Sequence, residues 1–238
     1  MVSNLFPLRL CDAQVRRRGK TILGPVNLEL DGQGLTIIVG PNGAGKTSLL
    51  RVMHGVERLS GGTVQWGMND DHARERQAYV FQSPIMLRRS VADNLHYPLR
   101  LSGMARGEAS PLVADWLARI GLQGQRQMQA TRLSGGERQK LALARALIRQ
   151  PEVLFLDEPC ANLDGRATRE FETLLLATRD SGTRIVMATH DLGQAKRLAT
   201  DALFILGGCI HESAAAPAFF ETPQTPELAS FLRGDIVE

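Results

Sequence analysis

The chain has 238 residues, of which 43% are hydrophobic and 22% charged, with a formal net charge of +3. That length allows one large domain or two small ones, and the composition excludes a disordered tail, a collagen-like fibre and a disulfide scaffold. An excess of three positive charges gives no case for a nucleic-acid partner.

In chain order, the first ~34 residues are rich in Val, Thr, Gln and Gly and read as antiparallel strands flanking a core. Leu35–Val39 is a continuous apolar run of the kind that forms a strand covered on both faces. A glycine-rich turn follows, then a helical pattern over Lys46–His54 that stops at Gly55. Residues 61–81 read as further flanking antiparallel strands. Residues ~83–132 carry no strong strand run and read as a helical subdomain inserted into the core. Within it, Ser90 with Asp93 marks one helix start. Ser110-Pro111 reads as an N-cap for a face made by Leu112, Val113, Trp116, Leu117 and Ile120, closed by Gly121. Glu137–Arg149 is a helix ending before Pro151, and Val153–Leu156 a second buried strand. Helices over Arg166–Arg179 and Leu192–Ala199 alternate with strands at Arg184–Ala188 and Ala202–Leu206. Ser213–Pro217 reads as a short linker to a C-terminal tail. Strand and helix in alternation argue for an α/β fold with a mostly parallel sheet covered on both sides.

Cys11, Cys160 and Cys209 form no Cys-x-x-Cys pair, so neither a zinc site nor a disulfide framework is expected, and the count suits a reducing compartment. Met1-Val2-Ser3-Asn4 opens without a basic stretch followed by an apolar one, so no secretory leader is expected. The longest apolar runs are about five residues, against the ~20 that a membrane span needs.

Three motifs carry chemistry. Gly40-Pro41-Asn42-Gly43-Ala44-Gly45-Lys46-Thr47 satisfies the phosphate-loop pattern, between an apolar strand and a helix start. Glycines let backbone N–H groups converge on an anion, and the helix turns its positive end there. Lys46 adds a full charge, and the Thr47 hydroxyl is placed to ligate Mg²⁺ beside a bound nucleotide. Asp157-Glu158 ends the second buried strand: Asp157 assists the Mg²⁺ directly or through water, while Glu158 takes a proton from, or orients, an attacking water. Third, Ser134-Gly135-Gly136-Glu137 fits a capping box. Its paired glycines leave N–H groups bare for a ligand, although the chain has one phosphate loop. A two-fold dimer reconciles the two, each chain's Ser134–Gly136 covering nucleotide held by the other's loop.

In order and approximate spacing, these features resemble an ATP-binding-cassette (ABC) ATPase, the nucleotide-binding subunit of an ABC transporter. The resemblance rests on the loop at 40–47, Gln82 after Val80-Phe81, Leu133-Ser134-Gly135-Gly136-Glu137, the acidic strand end, Asn162-Leu163-Asp164 and His190, and it spans essentially the whole chain. It implies a P-loop NTPase core with an N-terminal antiparallel β subdomain and an inserted α-helical subdomain, forming one ABC ATPase domain over residues 1–238. It implies ATP and Mg²⁺ as ligands, with the loop and the following Ser48 on the nucleotide. Gln82 then senses Mg²⁺ and the attacking water and couples to the membrane partner, His190 contacts the γ-phosphate, and Asp164 belongs to the segment touching the opposite subunit of a homodimer. Two positions depart from the pattern. Where the family stacks an aromatic on adenine, this chain aligns Arg17, or Arg18, whose guanidinium plane can also stack on a base. Cys160 stands where the family has Ser or Thr.

The stretch Ser83–Val91 and the tail Phe219–Asp235 resemble importer ATPases, most closely those for tungstate and related oxyanions. The resemblance implies a separate permease, an indirect link to a periplasmic or extracellular solute-binding protein, and a peripheral place on the cytoplasmic face of the membrane. Phosphate or amino-acid import, and a non-transport regulatory cassette, stay open at this point.

Overall fold

The computed structural model describes residues 5–161 and 163–237. Met1–Asn4, on which the leader reading rests, and Asn162 lie outside the described residues.

Two sheets organise the chain. Strands β1 (Leu8–Arg17), β2 (Lys20–Leu30) and β4 (Gly61–Gln65) form an antiparallel sheet in the order β2-β1-β4. The central sheet is built from β3 (Leu35–Val39), β5 (Gln77–Val80), β6 (Val153–Asp157), β7 (Arg184–Ala188), β8 (Asp201–Leu206) and β9 (Cys209–Ala215). Its order is β5-β6-β7-β3-β8-β9, parallel except for the β8–β9 pair. Every residue of β3, β6 and β7 is buried, as their unbroken apolar runs require.

Alternate side chains of these strands enter two cores, one on each face. On one face Leu35, Ile37, Val39, Leu154, Leu156 and Met187 pack with α5 (Gly135–Leu147), α6 (Gly165–Asp180) and α7 (Leu192–Leu198). On the other, Ile38, Phe155, Val186 and Ile205 meet α1 (Lys46–His54) and the apolar side of the antiparallel sheet. Each fully buried Leu, Ile or Phe contributes about 1.5–3 kcal/mol, so these central strands anchor the fold. Between β5 and β6 the chain leaves the sheet and forms α3 (Val91–Leu101) and α4 (Arg106–Arg119) before α5.

Four local expectations need correction. Residues 61–81 divide: β4 joins the antiparallel sheet, a short helix α2 (Asp70–Glu75) follows, and β5 enters the parallel sheet beside β6. Helix α4 starts at Arg106 rather than at Ser110. The Glu108 carboxylate accepts from the Ala105 N–H, and the Ser110 hydroxyl bonds back to the Arg106 carbonyl from inside the helix. Helix α5 starts at Gly135, not Glu137. Ser213–Pro217 is no linker: β9 runs to Ala215 along β8, and helix α8 (Ala216–Glu221) begins at once, with proline in its first turn. A last helix, α9 (Pro226–Arg233), is fixed by Glu212, which accepts the N–H groups of Gln224 and Thr225 and the Thr225 hydroxyl.

Candidate functional site

Register sets the site. Ile38, Ala188 and Asp157 lie in one row across β3, β7 and β6, and Val80 of β5 pairs with Leu156. Gly40, Gln82, Glu158 and His190 all follow within two residues of that row or its extension. They therefore gather at the carboxyl edge of a parallel sheet, where α/β folds bind ligands.

The loop from Gly40 to Gly45 leads into α1. Gly40 is obligatory, because a Cβ there would lie 2.1 Å from the Ile205 carbonyl oxygen. Lys46 is 5% exposed, and its Nζ donates to the carbonyls of Gly40 (2.8 Å) and Pro41 (3.0 Å). Burial pushes its pKa down, while Glu158 and Asp157 push it back up. The ammonium is thus held over its own loop, 4.0 Å from Glu158. Thr47 Oγ1 donates to Asp157 Oδ1 at 2.9 Å. Burial raises the Asp157 pKa, and the hydrogen bonds from Thr47 and Tyr79 oppose that rise. These are hard oxygen donors on adjacent elements, a set that fits Mg²⁺.

Glu158 leaves the end of β6 in the left-handed region, with φ 46°, a conformation costing a non-glycine residue about 1–2 kcal/mol. Its N–H is bonded to the Ala188 carbonyl at 3.0 Å. The turn aims its carboxylate back over the site. Glu158 Oε2 accepts from Gln82 Nε2 at 3.2 Å, and His190 Nδ1 lies 3.1 Å from the same oxygen. Four segments distant in sequence thus meet on one carboxylate.

Two contributors escaped the sequence reading. Tyr79 donates its hydroxyl to Asp157 Oδ2 at 3.3 Å, and burial raises its phenol pKa. Gln139 of α5 donates to the Gln82 carbonyl at 2.9 Å and so fixes the loop after β5. Neither residue belongs to a motif: Tyr79 reaches Asp157 across 78 positions and Gln139 reaches Gln82 across 57.

A second grouping lies apart. Ser134 caps α5 through the Glu137 N–H, while Glu137 accepts from the Ser134 N–H and hydroxyl at 2.8 Å each. Ser134, Gly136, Leu163 and Asp164 line an open cleft of about 540 Å³ that contains no residue of the phosphate loop. A Cβ on Gly135 would meet nothing within 4 Å, so that helix end is open to a ligand.

A family model described as "ABC transporter" matches residues 23–161. The chain belongs to the ABC transporter family. Over 238 aligned residues it is 35% identical to a probable anion import ATP-binding protein of Haloferax volcanii, covering 91% of this chain and 83% of that one. It is 36% identical to the tungstate uptake system ATP-binding protein TupC of Peptoclostridium acidaminophilum, covering 82% of this chain and 92% of the relative. A solved structure titled "Structure of ATP binding subunit of ABC transporter" superposes with a TM-score of 0.83 at 20% identity, over 96% of this chain and 100% of that one. That likeness establishes the ABC ATPase fold, and the chain is an ATPase that uses ATP with Mg²⁺.

Within this ABC ATPase, the structure unites Lys46, Thr47, Gln82, Asp157, Glu158 and His190, and it keeps Ser134, Gly136 and Asp164 together elsewhere. Arg17 is joined to neither group. Its guanidinium bonds Glu57 at 2.5 Å, at the tip of the β1–β2 hairpin, where Arg18 turns with φ 50°. Cys160 is partly buried, and burial pushes its thiol up to about 11, so it stays a neutral thiol at physiological pH.

Proposed function

We propose that this chain, the ATPase subunit of an ABC importer, drives uptake of tungstate or a related oxyanion through a separate permease. The observation that carries the hydrolytic part is the convergence of Lys46, Gln82 and His190 on Glu158. The relatives named for anion import and tungstate uptake support the solute.

In this reading, residues 1–238 form one ABC ATPase domain with a helical subdomain at about 83–132. Loop amides from Gly40, Pro41, Asn42, Gly43, Ala44 and Gly45, with Lys46, Thr47 and Ser48, hold the triphosphate. Thr47, Asp157 and Gln82 would hold Mg²⁺, which would supply neutralisation of the phosphate charge. Glu158 orients the attacking water and accepts its proton, Gln82 fixes the far side of that carboxylate, and His190 donates toward the γ-phosphate. Ser134, Gly135, Gly136 and Asp164 close on nucleotide held by a second copy, and Arg17 is the candidate platform for the base once it parts from Glu57.

The permease docks on the groove between β5 and α3, where Phe81 and Leu101 are exposed, with Tyr97 and Arg149 beside them. Among the described residues no helix is long and apolar enough to cross a membrane. The protein acts from the cytoplasmic face, and a solute-binding protein reaches it only through the permease.

Reconstitution with a candidate tungstate permease and its solute-binding protein tests the solute. Stimulation of ATP hydrolysis by tungstate, and not by phosphate or amino acids, is the expected result. Stimulation by an amino acid alone would overturn the oxyanion reading.

A further inference from the structure

His190 lies between two residues that are both bonded to Gln194. Thr189 is 4% exposed and Gln194 is 1% exposed. The Thr189 hydroxyl donates to Gln194 Oε1 at 3.1 Å and accepts from the Asp191 N–H at 3.1 Å. The Asp191 carboxylate in turn accepts the Gln194 N–H at 2.9 Å, capping α7. Both neighbours of His190 are thereby fastened to Gln194, one through its amide and one through its backbone.

The other end of the same amide points away from the site. Gln194 Nε2 donates to Glu172 Oε1 at 3.2 Å. Glu172, on α6, is 6% exposed, and Arg197 holds it with bonds of 3.0 and 2.7 Å. Helix α6 begins at Asp164, which caps it through the Ala167 N–H at 2.8 Å. Cys160, two residues past Glu158, also faces the Gln194 amide. One buried side chain therefore touches the loop of His190, the segment leaving Glu158 and the helix behind Asp164.

We propose that Gln194 is a positioning residue for hydrolysis, holding His190 at Glu158 and tying that placement to α6. The role rests on the ATPase reading above. The amide meets both demands of the pocket in one group that stays neutral at every pH: an acceptor for Thr189 and a donor for Glu172. A leucine supplies neither, and an ionised carboxylate cannot donate. In a cassette that works as a pair, a shift of α6 at the Asp164 contact then moves His190 relative to Glu158 through this one link.

The test compares the full chain with Gln194→Leu and Gln194→Glu, reading kcat, KM for ATP, melting temperature and pH profile. For Gln194→Leu, kcat falls about 10- to 100-fold, as when supporting hydrogen bonds are removed from a site, while KM stays within about twofold. Gln194→Glu sets a new carboxylate against Glu172 of α6, with Arg197 and Asp191 of α7 and Cys160 around it. As pH falls, one proton shared by the pair restores a donor toward Glu172 and an acceptor for Thr189. The ratio of its kcat to that of the native chain therefore rises toward low pH. A group that merely fills space gives no such rescue. A kcat for Gln194→Leu within about twofold of native, or a pH-independent ratio for Gln194→Glu, overturns the role. Failure of both variants to fold at every pH also overturns it, assigning the network to core stability. A native chain that hydrolyses no ATP is a separate outcome, which refutes the ATPase reading and this role with it.

Discussion

His54 makes the stability of this chain depend on acid in a way that can be calculated. It is the last residue of α1, and its ring meets Tyr79 edge-on at 5.3 Å and Phe155 at 5.8 Å. Its Nδ1 is buried without a hydrogen-bond partner. Burial, and then the charge of Arg74, push its pKa from 6.5 down to about 4. A histidine held neutral in the fold titrates more readily once unfolded. Its contribution is therefore fully present above pH 6.5 and lost as pH falls toward 4. Between pH 7.5 and 5 the loss is about 2 kcal/mol, from the ratio of protonated populations in the two states. That corresponds to a drop of roughly 4–8 °C in melting temperature for a chain of this size. His54→Phe keeps both edge-on ring contacts and removes the titrating group. Urea unfolding at pH 7.5 and pH 5 should show the native chain losing about 2 kcal/mol more than the variant. Equal losses in the two proteins would refute the reasoning.

Two further outcomes follow from the site. Glu158→Gln should lower turnover by about 10²- to 10⁴-fold, the usual contribution of a general base, and should give an ATP-dependent dimer on size exclusion. A variant that stays monomeric with ATP would count against closure of two copies on nucleotide. Gly40→Ala should cost about 3 kcal/mol in urea unfolding, because its Cβ lies 2.1 Å from the Ile205 carbonyl oxygen. Gly43→Ala points into open space at φ 81°, so it should cost only about 1–2 kcal/mol of backbone strain; equal costs at the two positions would contradict the packing argument.

The sequence was most informative where one physical demand dominates. β3, β6, β7 and β8 were legible because strands covered on both faces carry unbroken apolar runs, and α1, α6 and α7 because Gly55, Asp164 and Asp191 end or begin them. Where two readings share one local pattern, position in the fold decided. Ser110-Pro111 imitates a helix start, yet the capping contact comes from Glu108, which accepts the Ala105 N–H three residues earlier. Small residues near 213–217 suggest a linker, yet they close an edge strand and open a helix. β5 has only four residues, and its membership of the parallel sheet is fixed by pairing with β6, which lies over 70 residues away. Lys46, Thr47, Asp157 and Glu158 stood out because their motifs are contiguous. Tyr79, Gln139 and Gln194 did not, because their partners are assembled by the sheet and not by the chain.

The sheet order has a consequence for the protein while it is being made. β7 lies between the strand that launches the phosphate loop and the strand that ends just before Glu158, and it also delivers His190. Until it slots in, no sheet hydrogen bonds join those two strands into one sheet. A polypeptide still emerging from the ribosome, with β7 unmade, is therefore an engine whose two halves are not yet bolted together. It cannot burn fuel before more than three-quarters of its length has been translated.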